Sequence, residues 1–555
     1  MNDSSTLVTP AEQPMTWSGW GDPTLRPGLS PRAEAHLARW IGPLERHTPP
    51  VALEDVRTSP SRLDDTTRAA LTAIVGQEGV RDDHRTRVEH AGGKSYPDLL
   101  RRRRGDAVAA PDAIVYPRSH DEVAAVLEQA VESGIAVVPF GGGTSVVGGV
   151  EPERGPFDSL IALDLSHMDR LVDIDEESLL ATFEPGMRGP EAEAALRRRG
   201  YTLGHFPQSY VYASIGGYVA TRSAGQASSG YGRIDEKVHA VRLATPAGEL
   251  SFGRAPATAA GPDLRHAVVG SEGLLGVITE ATLRVHHAPE QEVHEAWAAP
   301  SFAAGAEVLR ELVQSDAAPD VCRLSDEDET RVFLQQTEGL KGSGFRGYLK
   351  LRGYGEGCLV ILGWSGRSDG IALRRAAATR ILREHGLLRL GAKPGEAWAH
   401  GRFSGPYLRD DLMDRGVFVE TLETSTTWSR IPTLYTAVRD ALTDTLTGLG
   451  TPPIVMCHIS HVYESGCSLY FTWIARQDVG RELEQWQAAK QAAGDAIIGA
   501  GGTITHHHAV GTDHRRWMTD EVGSLGVAML RSLKDTLDPT GILNPGKLLP
   551  DPDAG

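Results

Sequence analysis

The stretch Pro139-Phe140-Gly141-Gly142-Gly143-Thr144-Ser145 places three consecutive glycines and two hydroxyl side chains directly after the β-branched run Ile135-Ala136-Val137-Val138. Glycines reach positive φ without strain, so successive backbone N–H groups can converge on one anion, and Thr144 and Ser145 add donors. A phosphate or pyrophosphate is the natural guest. The loop is not the dinucleotide fingerprint, because no helical pattern opens after Gly149. Ser214-Ile215-Gly216-Gly217 suits a loop and helix start lying close under a flat ring, where side chains would clash. A third glycine segment follows at Gly270-Ser271-Glu272-Gly273-Leu274-Leu275-Gly276. Near the C-terminus stand His506-His507-His508, which read as a solvated polar run, a metal site or a proton-transfer cluster. On a strand, His506 and His508 would share one face and His507 the other, so the three could not easily meet one ion, and no metal is assigned.

The elements that must position these residues are legible around them. Ser119-His120-Asp121-Glu122 has capping-box spacing, and Val123, Val126, Leu127, Ala130 and Val131 form one helical face that stops near Gly134. Ile135 to Val138 is a buried strand that Pro139 should close, since proline cannot extend an interior ladder. Strands are expected at Leu160–Asp164, Leu179–Phe183, His239–Thr245 and Gly276–Val285, and a helix over Arg188–Arg199. From Pro289 the glycine loops cease. Longer amphipathic helices, such as Phe302–Val313 and Arg374–His385, then alternate with strands such as Cys358–Leu362 and Leu469–Trp473.

A chain of 555 residues needs two or three cores, and 40% hydrophobic with 23% charged residues is ordinary for a soluble globular protein. Three regions are expected: a disordered tail, Met1–Pro14, and helical preface over 1–105, an α/β domain over 106–288, and a sheet-and-helix cap over 289–555. The net charge of -17 argues against a nucleic-acid surface, so any anion must be met by a few placed arginines. Arg101-Arg102-Arg103-Arg104 reads as a solvated face, with a lipid-headgroup or partner contact as the alternative. Cys322, Cys358, Cys457 and Cys467 contain no C-x-x-C pair, which points to a reducing, cytoplasmic compartment. No secretory signal or membrane span is found, though a peripheral bilayer contact is compatible with the composition.

The three glycine segments, in this order, resemble the FAD-contacting segments of the vanillyl-alcohol-oxidase-type flavoproteins. Within that superfamily the chain is most similar to the alkyldihydroxyacetonephosphate synthases, from Trp17-Ser18-Gly19-Trp20-Gly21 to Asn544-Pro545-Gly546-Lys547. The resemblance implies an α+β protein: a PCMH-type FAD-binding domain with a C-terminal cap of antiparallel sheet and helices, and the substrate pocket between them. It implies that FAD is held by backbone atoms of Pro139–Ser145, of Gln208, Ser209 and Ser214 with Gly217, of Thr221, Arg222, Ser223 and Ala224, and of Glu272, Gly273, Gly276, Val277 and Ile278. Gln208 departs from the family, which carries an acidic residue there. With no histidine or cysteine in the first loop, the flavin should be non-covalent.

The same resemblance matches Tyr470 to the family's catalytic tyrosine, with Tyr463 as the fallback. A tyrosine base needs its pKa of about 10 lowered, which the histidine cluster could do. His506, His507 and His508 fall in the family's histidine triplet, where D-2-hydroxyacid dehydrogenases usually show Glu-His-Gly. Arg323 matches a position important in the synthases and Arg409 their substrate-binding arginine, whose fork suits a phosphate. Phe418–Trp428 resembles the family without an assigned role. The implied reaction exchanges the acyl group of acyl-dihydroxyacetone phosphate for a fatty alcohol through flavin N5, with no net redox, as in ether-lipid synthesis. The runner-up is an FAD-dependent D-2-hydroxyacid dehydrogenase or oxidase. The expected partners are these lipid substrates and a second copy of the chain in a homodimer.

Overall fold

The computed structural model describes residues 14–44, 47–336 and 339–551. The disorder expected of Met1–Pro14 therefore lies, Pro14 apart, outside the described residues. Helices Pro31–Ile41, Asp65–Val75 and Tyr96–Arg103 open the chain. A four-stranded sheet follows, in the order Val80–Arg81, Ala113–Val115, Ser159–Asp164, Ile135–Phe140. The Ser159–Asp164 strand runs parallel to both its neighbours, which the helical crossover His120–Ser133 permits. Ser119 caps that helix by accepting from the N–H of Glu122, and Gly134 ends it in the left-handed region.

Pro139 does not close its strand. The ladder continues to Phe140, paired with Asp164, because Ile135–Phe140 is the edge strand of this sheet, where proline removes no interior bond. The outer side of that edge is covered by the C-terminal segment, with Val137 N–H donating to Ile542 O at 2.8 Å and Asn544 N–H to Val137 O at 2.8 Å. Beside it lies an antiparallel five-stranded sheet in the order Leu171–Asp175, Leu180–Phe183, Val277–Arg284, Val238–Thr245, Gly248–Phe252.

The third major sheet has seven antiparallel strands in the order Leu388–Gly391, Gln291–Ala299, Cys358–Gly366, Val321–Ser325, Ile454–Ile459, Gly466–Arg476, Val417–Thr427. Strand alternation divides its residues between two faces. Cys322, Leu324, Cys457, Ile459, Leu469, Phe471 and Trp473 point into a core closed by helices Phe302–Gln314, Ser368–Glu384, Ile431–Gly448 and Glu482–Gly499. Arg323, His458, Tyr470 and Glu423 occupy the opposite face; the register sets His458 beside Tyr470 and Tyr470 beside Glu423. The polar positions of four neighbouring strands thus form one surface.

The arginine run is a solvated face only in part: Arg101 and Arg104 reach solvent, whereas Arg102 and Arg103 are buried. Arg102 is 1% exposed and donates to the carbonyls of Gly92, Gly93 and Asp98, while Arg103 reaches Ser18 O, Thr48 O and Asp414. Arg101 pairs with Glu151 at 2.6 Å and Arg104 with Glu482. These arginines staple the N-terminal segments to both sheet systems. All four cysteines are buried and free. Among the described residues, no helix is long and apolar enough to cross a membrane.

Candidate active site

Gly143 adopts φ +63°, and the N–H groups of Gly142 to Val146, five in succession, have no hydrogen-bond partner among the described residues. Unpaired amides in a half-buried loop call for an acceptor, and a run of them suits an anionic or carbonyl-rich ligand. The loop cannot tolerate larger residues: a Cβ on Gly142 would lie 2.0 Å from Tyr212 O, and one on Gly141 2.4 Å from Ser214 Oγ. The first two glycine segments are therefore in direct contact. Ser214 caps helix Ile215–Thr221 through the N–H of Gly217 at 3.3 Å.

Many side chains of these segments are spent inside the protein. Ser145 Oγ accepts from Gly149 N–H at 2.9 Å, Thr221 donates to Gly217 O at 2.9 Å, Arg222 pairs with Asp235 at 2.8 Å, and Ser223 meets His205 Nε2 at 3.1 Å. What remains for a ligand is mainly backbone. Gln208 Nε2, by contrast, is buried without a partner, and Ser209 offers its carbonyl to Tyr212 and Ala213. Ala224 is buried behind the segment.

Glu272 has a structural task. Its carboxylate accepts from Val510 N–H and Gly511 N–H, each at 2.8 Å, tying the third glycine segment to the loop that carries the histidines. Burial pushes its pKa up to about 7 against those two donors. Asn544 donates to Glu272 O at 2.6 Å and Gly149 O at 3.1 Å. Gly273 packs on Pro139, and Gly276 leads into Val277 and Ile278 at the start of their strand. The residues present fit FAD: a donor-rich glycine cradle, locked by the C-terminal segment to the histidine loop.

The histidine triplet is not on a strand. Its irregular backbone turns His506 and His507 toward Glu423, a residue of the Val417–Thr427 strand with no role in the sequence reading. His507 Nδ1 lies 2.5 Å from Glu423 Oε2, His506 Nδ1 lies 3.6 Å from Glu423 Oε1, and the two Nδ1 atoms are 3.1 Å apart. Burial opposes ionisation of Glu423, but His507 and His506 outweigh it and hold the carboxyl well below its ordinary range. His506 is fixed from behind by the Tyr463 hydroxyl, 2.7 Å from Nε2. His461, another residue without an assigned role, brings Nε2 to 3.8 Å from Glu423, while its Nδ1 lies 2.6 Å from Ser228 Oγ. Burial depresses the pKa values of His461 and His506, and takes that of His508 to about 3, so these rings are neutral at pH 7.

Tyr470 sits at the edge of this cluster. Its ring stacks on His458 at 4.7 Å and meets His508 edge-on at 5.5 Å. Its pKa is not lowered: burial pushes it up to about 12. Arg323 reaches Glu329 at 3.0 Å and His458 Nδ1 at 3.1 Å, so it braces the ring against which Tyr470 stacks. Arg409, on helix Gly405–Met413, makes no hydrogen bond or ion pair with this cluster. It donates from one Nη to Lys94 O at 2.7 Å and leaves Nε and the other Nη buried, with no partner among the described residues. Lys94 N–H in turn bonds Ser145 O at 2.6 Å, which ties Arg409 to the glycine cradle.

Residues 111–252 match the FAD binding domain family, and residues 288–548 the C-terminal domain of FAD linked oxidases. The chain is 32% identical over 512 residues to the alkyldihydroxyacetonephosphate synthase of Dictyostelium discoideum, covering 91% of this chain and 84% of the relative. The synthase of Trypanosoma brucei brucei is 32% identical over 581 residues, covering 98% and 94%. The chain belongs to the alkyldihydroxyacetonephosphate synthase family. A solved structure of such a synthase superposes with TM-score 0.83 at 29% identity, covering 96% of this chain and 98% of that one. Against the runner-up, a probable mitochondrial D-lactate dehydrogenase of Danio rerio is 26% identical over 87% of this chain. As a member of the synthase family the chain is an FAD-dependent flavoprotein of α+β class, with an FAD-binding domain and an FAD-linked oxidase C-terminal domain.

Proposed function

We propose that this chain catalyses the exchange of the acyl group of acyl-dihydroxyacetone phosphate for the alkoxy group of a fatty alcohol. The observation that supports the reading is Arg409, half-buried with Nε and one Nη without a partner among the described residues, in a protein whose histidine cluster is backed by the Glu423 carboxylate. Arg409 binds the phosphate, since a dianion can take charge-assisted bonds from both of these nitrogens, Nε and Nη. FAD, when bound at the Pro139–Ser145, Ser214–Gly217 and Glu272–Ile278 segments, supplies an electron sink for the carbon beside the ketone.

Tyr470 is assigned to that carbon; with its pKa raised to about 12 it is protonated at pH 7 and acts as base there only as its phenolate. Tyr463 is doubly held, by His506 and by Arg233, and serves to position His506. Among the described residues Tyr470 has no such bond to a histidine, its hydroxyl being near Thr421 instead. Its ring meets His508 edge-on, and the His508 ring lies 4.8 Å from that of His507, so the phenol adjoins the histidine cluster. Glu423 stabilises the positive charge that reaches His507. Arg323 positions Tyr470 through His458. A peripheral bilayer contact belongs with this reading, because a long-chain substrate must be drawn from a lipid phase; the homodimer rests on the family likeness alone.

The test is product analysis of the FAD-loaded protein given palmitoyl-dihydroxyacetone phosphate and hexadecanol without oxygen or other oxidant. Equal amounts of palmitate and hexadecyl-dihydroxyacetone phosphate are expected. Turnover confined to D-2-hydroxy acids with an electron acceptor would overturn the reading.

A further inference from the structure

Four side chains each bring one potential ligand atom into a single cluster: Glu423, His461, His506 and His507, whose ligand atoms all lie within 4.8 Å of one another. Three of the four residues are buried, Glu423 at 1% exposure, His461 at 3% and His506 at 6%. In a tetrahedral site with bonds of about 2.0–2.1 Å, neighbouring ligand atoms stand roughly 3.3 Å apart. The separations to Glu423 are 2.5 Å from Oε2 to His507 and 3.6 and 3.8 Å from Oε1 to His506 and His461, the two Nδ1 atoms stand 3.1 Å apart, and no pair of ligand atoms exceeds 4.8 Å, so binding an ion requires only a small inward adjustment.

A second observation is independent of the cluster's own spacing. The far nitrogen of His461 is held by Ser228 Oγ at 2.6 Å, and the far nitrogen of His506 by the Tyr463 hydroxyl at 2.7 Å. Such outer partners fix the ring orientation of metal-ligating histidines, and here they leave His461 Nε2 and His506 Nδ1 facing Glu423. His506 Nδ1 and His507 Nδ1 also face each other at 3.1 Å, an arrangement in which one of the two must present a lone pair.

We propose that Glu423, His461, His506 and His507 bind one zinc-class divalent cation, and that the ion inhibits the enzyme. Three imidazoles and one carboxylate are a ligand set for zinc or its first-row neighbours rather than for calcium or magnesium. With four protein ligands the shell is closed, so no position remains to activate a substrate. Occupancy takes His507, His506 and Glu423 out of the proton relay; this consequence rests on the proposed function, whereas the binding does not.

The FAD-loaded protein, freed of metal by a chelator, is titrated with Zn²⁺ against a chromophoric chelator, and separately with Co²⁺ while its visible spectrum is followed. One ion per chain and the intense d–d bands of tetrahedral Co²⁺ are expected. Glu423→Gln and His461→Gln weaken binding by more than about 100-fold, and Ser228→Ala, which removes no ligand, by about 10- to 100-fold. Retained flavin absorbance and thermal midpoint certify that each variant is folded. Absence of a stoichiometric ion, or binding indifferent to these changes, overturns the site. One equivalent of Zn²⁺ should abolish turnover and EDTA restore it; turnover untouched by Zn²⁺, or lost when metal is removed, overturns the inhibitory role. If no synthase activity is found at all, the binding arms still decide the site.

Discussion

Replacing Glu423 by glutamine keeps the shape of the side chain and removes the charge that His507 faces at 2.5 Å. Turnover should fall by roughly 10²- to 10³-fold, as expected for an assisted proton transfer, while the bound flavin's absorbance spectrum stays unchanged. Loss of flavin in this variant would make Glu423 a structural residue. Arg409→Ala should raise KM for the phosphorylated substrate about 10- to 100-fold, the worth of one or two charge-assisted bonds, again with an unaltered spectrum. At this scale the sequence identified types better than partnerships. The histidine triplet stands out from its neighbours, and Arg409 only through the family likeness. Glu423 does not, because a glutamate inside Thr421-Leu422-Glu423-Thr424 looks like any strand residue until the register places it under the triplet. Tyr470 was expected to be acidified by histidines. The ring it touches is instead neutral, and burial raises its pKa to about 12.

The glycine segments and the histidine loop act as locked elements. Gly142→Ala places a methyl group 2.0 Å from Tyr212 O, a clash with backbone that cannot be relieved by a rotamer change. The purified variant should carry little flavin, read as the ratio of visible to ultraviolet absorbance; full occupancy would mean the loop is softer than its contacts indicate. Asp513, just beyond the histidine loop, is pushed up to about 7 by burial, against an ordinary value of 3.8. Because the folded-state value is the raised one, the folded protein keeps a proton that the unfolded chain gives up near pH 4. Its contribution to stability is complete below that and is lost as pH rises through 7. The thermal midpoint should decline between pH 5 and 8, and decline less in Asp513→Asn. The strands and helices around these loops were legible because periodicity and caps mark them. The strand through Pro139 was misjudged at its end, since an edge position cannot be read from local residues.

On the scale of the whole molecule, the site exists because the C-terminal chain returns across the first domain. Ile542–Asn544 pairs along the edge strand, Asn544 bridges two glycine segments, and Glu272 grips the amides beyond the triplet. At the other end, Trp20 N–H donates to Asp410, next to Arg409, and Arg102 and Arg103 anchor the early segments. Arg102→Ala would strip donors from three buried carbonyls and should cost roughly 3 kcal/mol, seen as a lower thermal midpoint without a change in the flavin spectrum. A solvated arginine would give no such loss. The basic run misled because four adjacent cations look like surface; only tertiary folding shows carbonyls and carboxylates converging on them. The central claim, that the site exchanges an acyl for an alkoxy group with no net redox, is tested most directly by an anaerobic absorbance titration. Palmitoyl-dihydroxyacetone phosphate should diminish the oxidised flavin absorbance with release of palmitate, and hexadecanol alone should restore it. Bleaching by a D-2-hydroxy acid that recovers only when an electron acceptor is added would contradict the account.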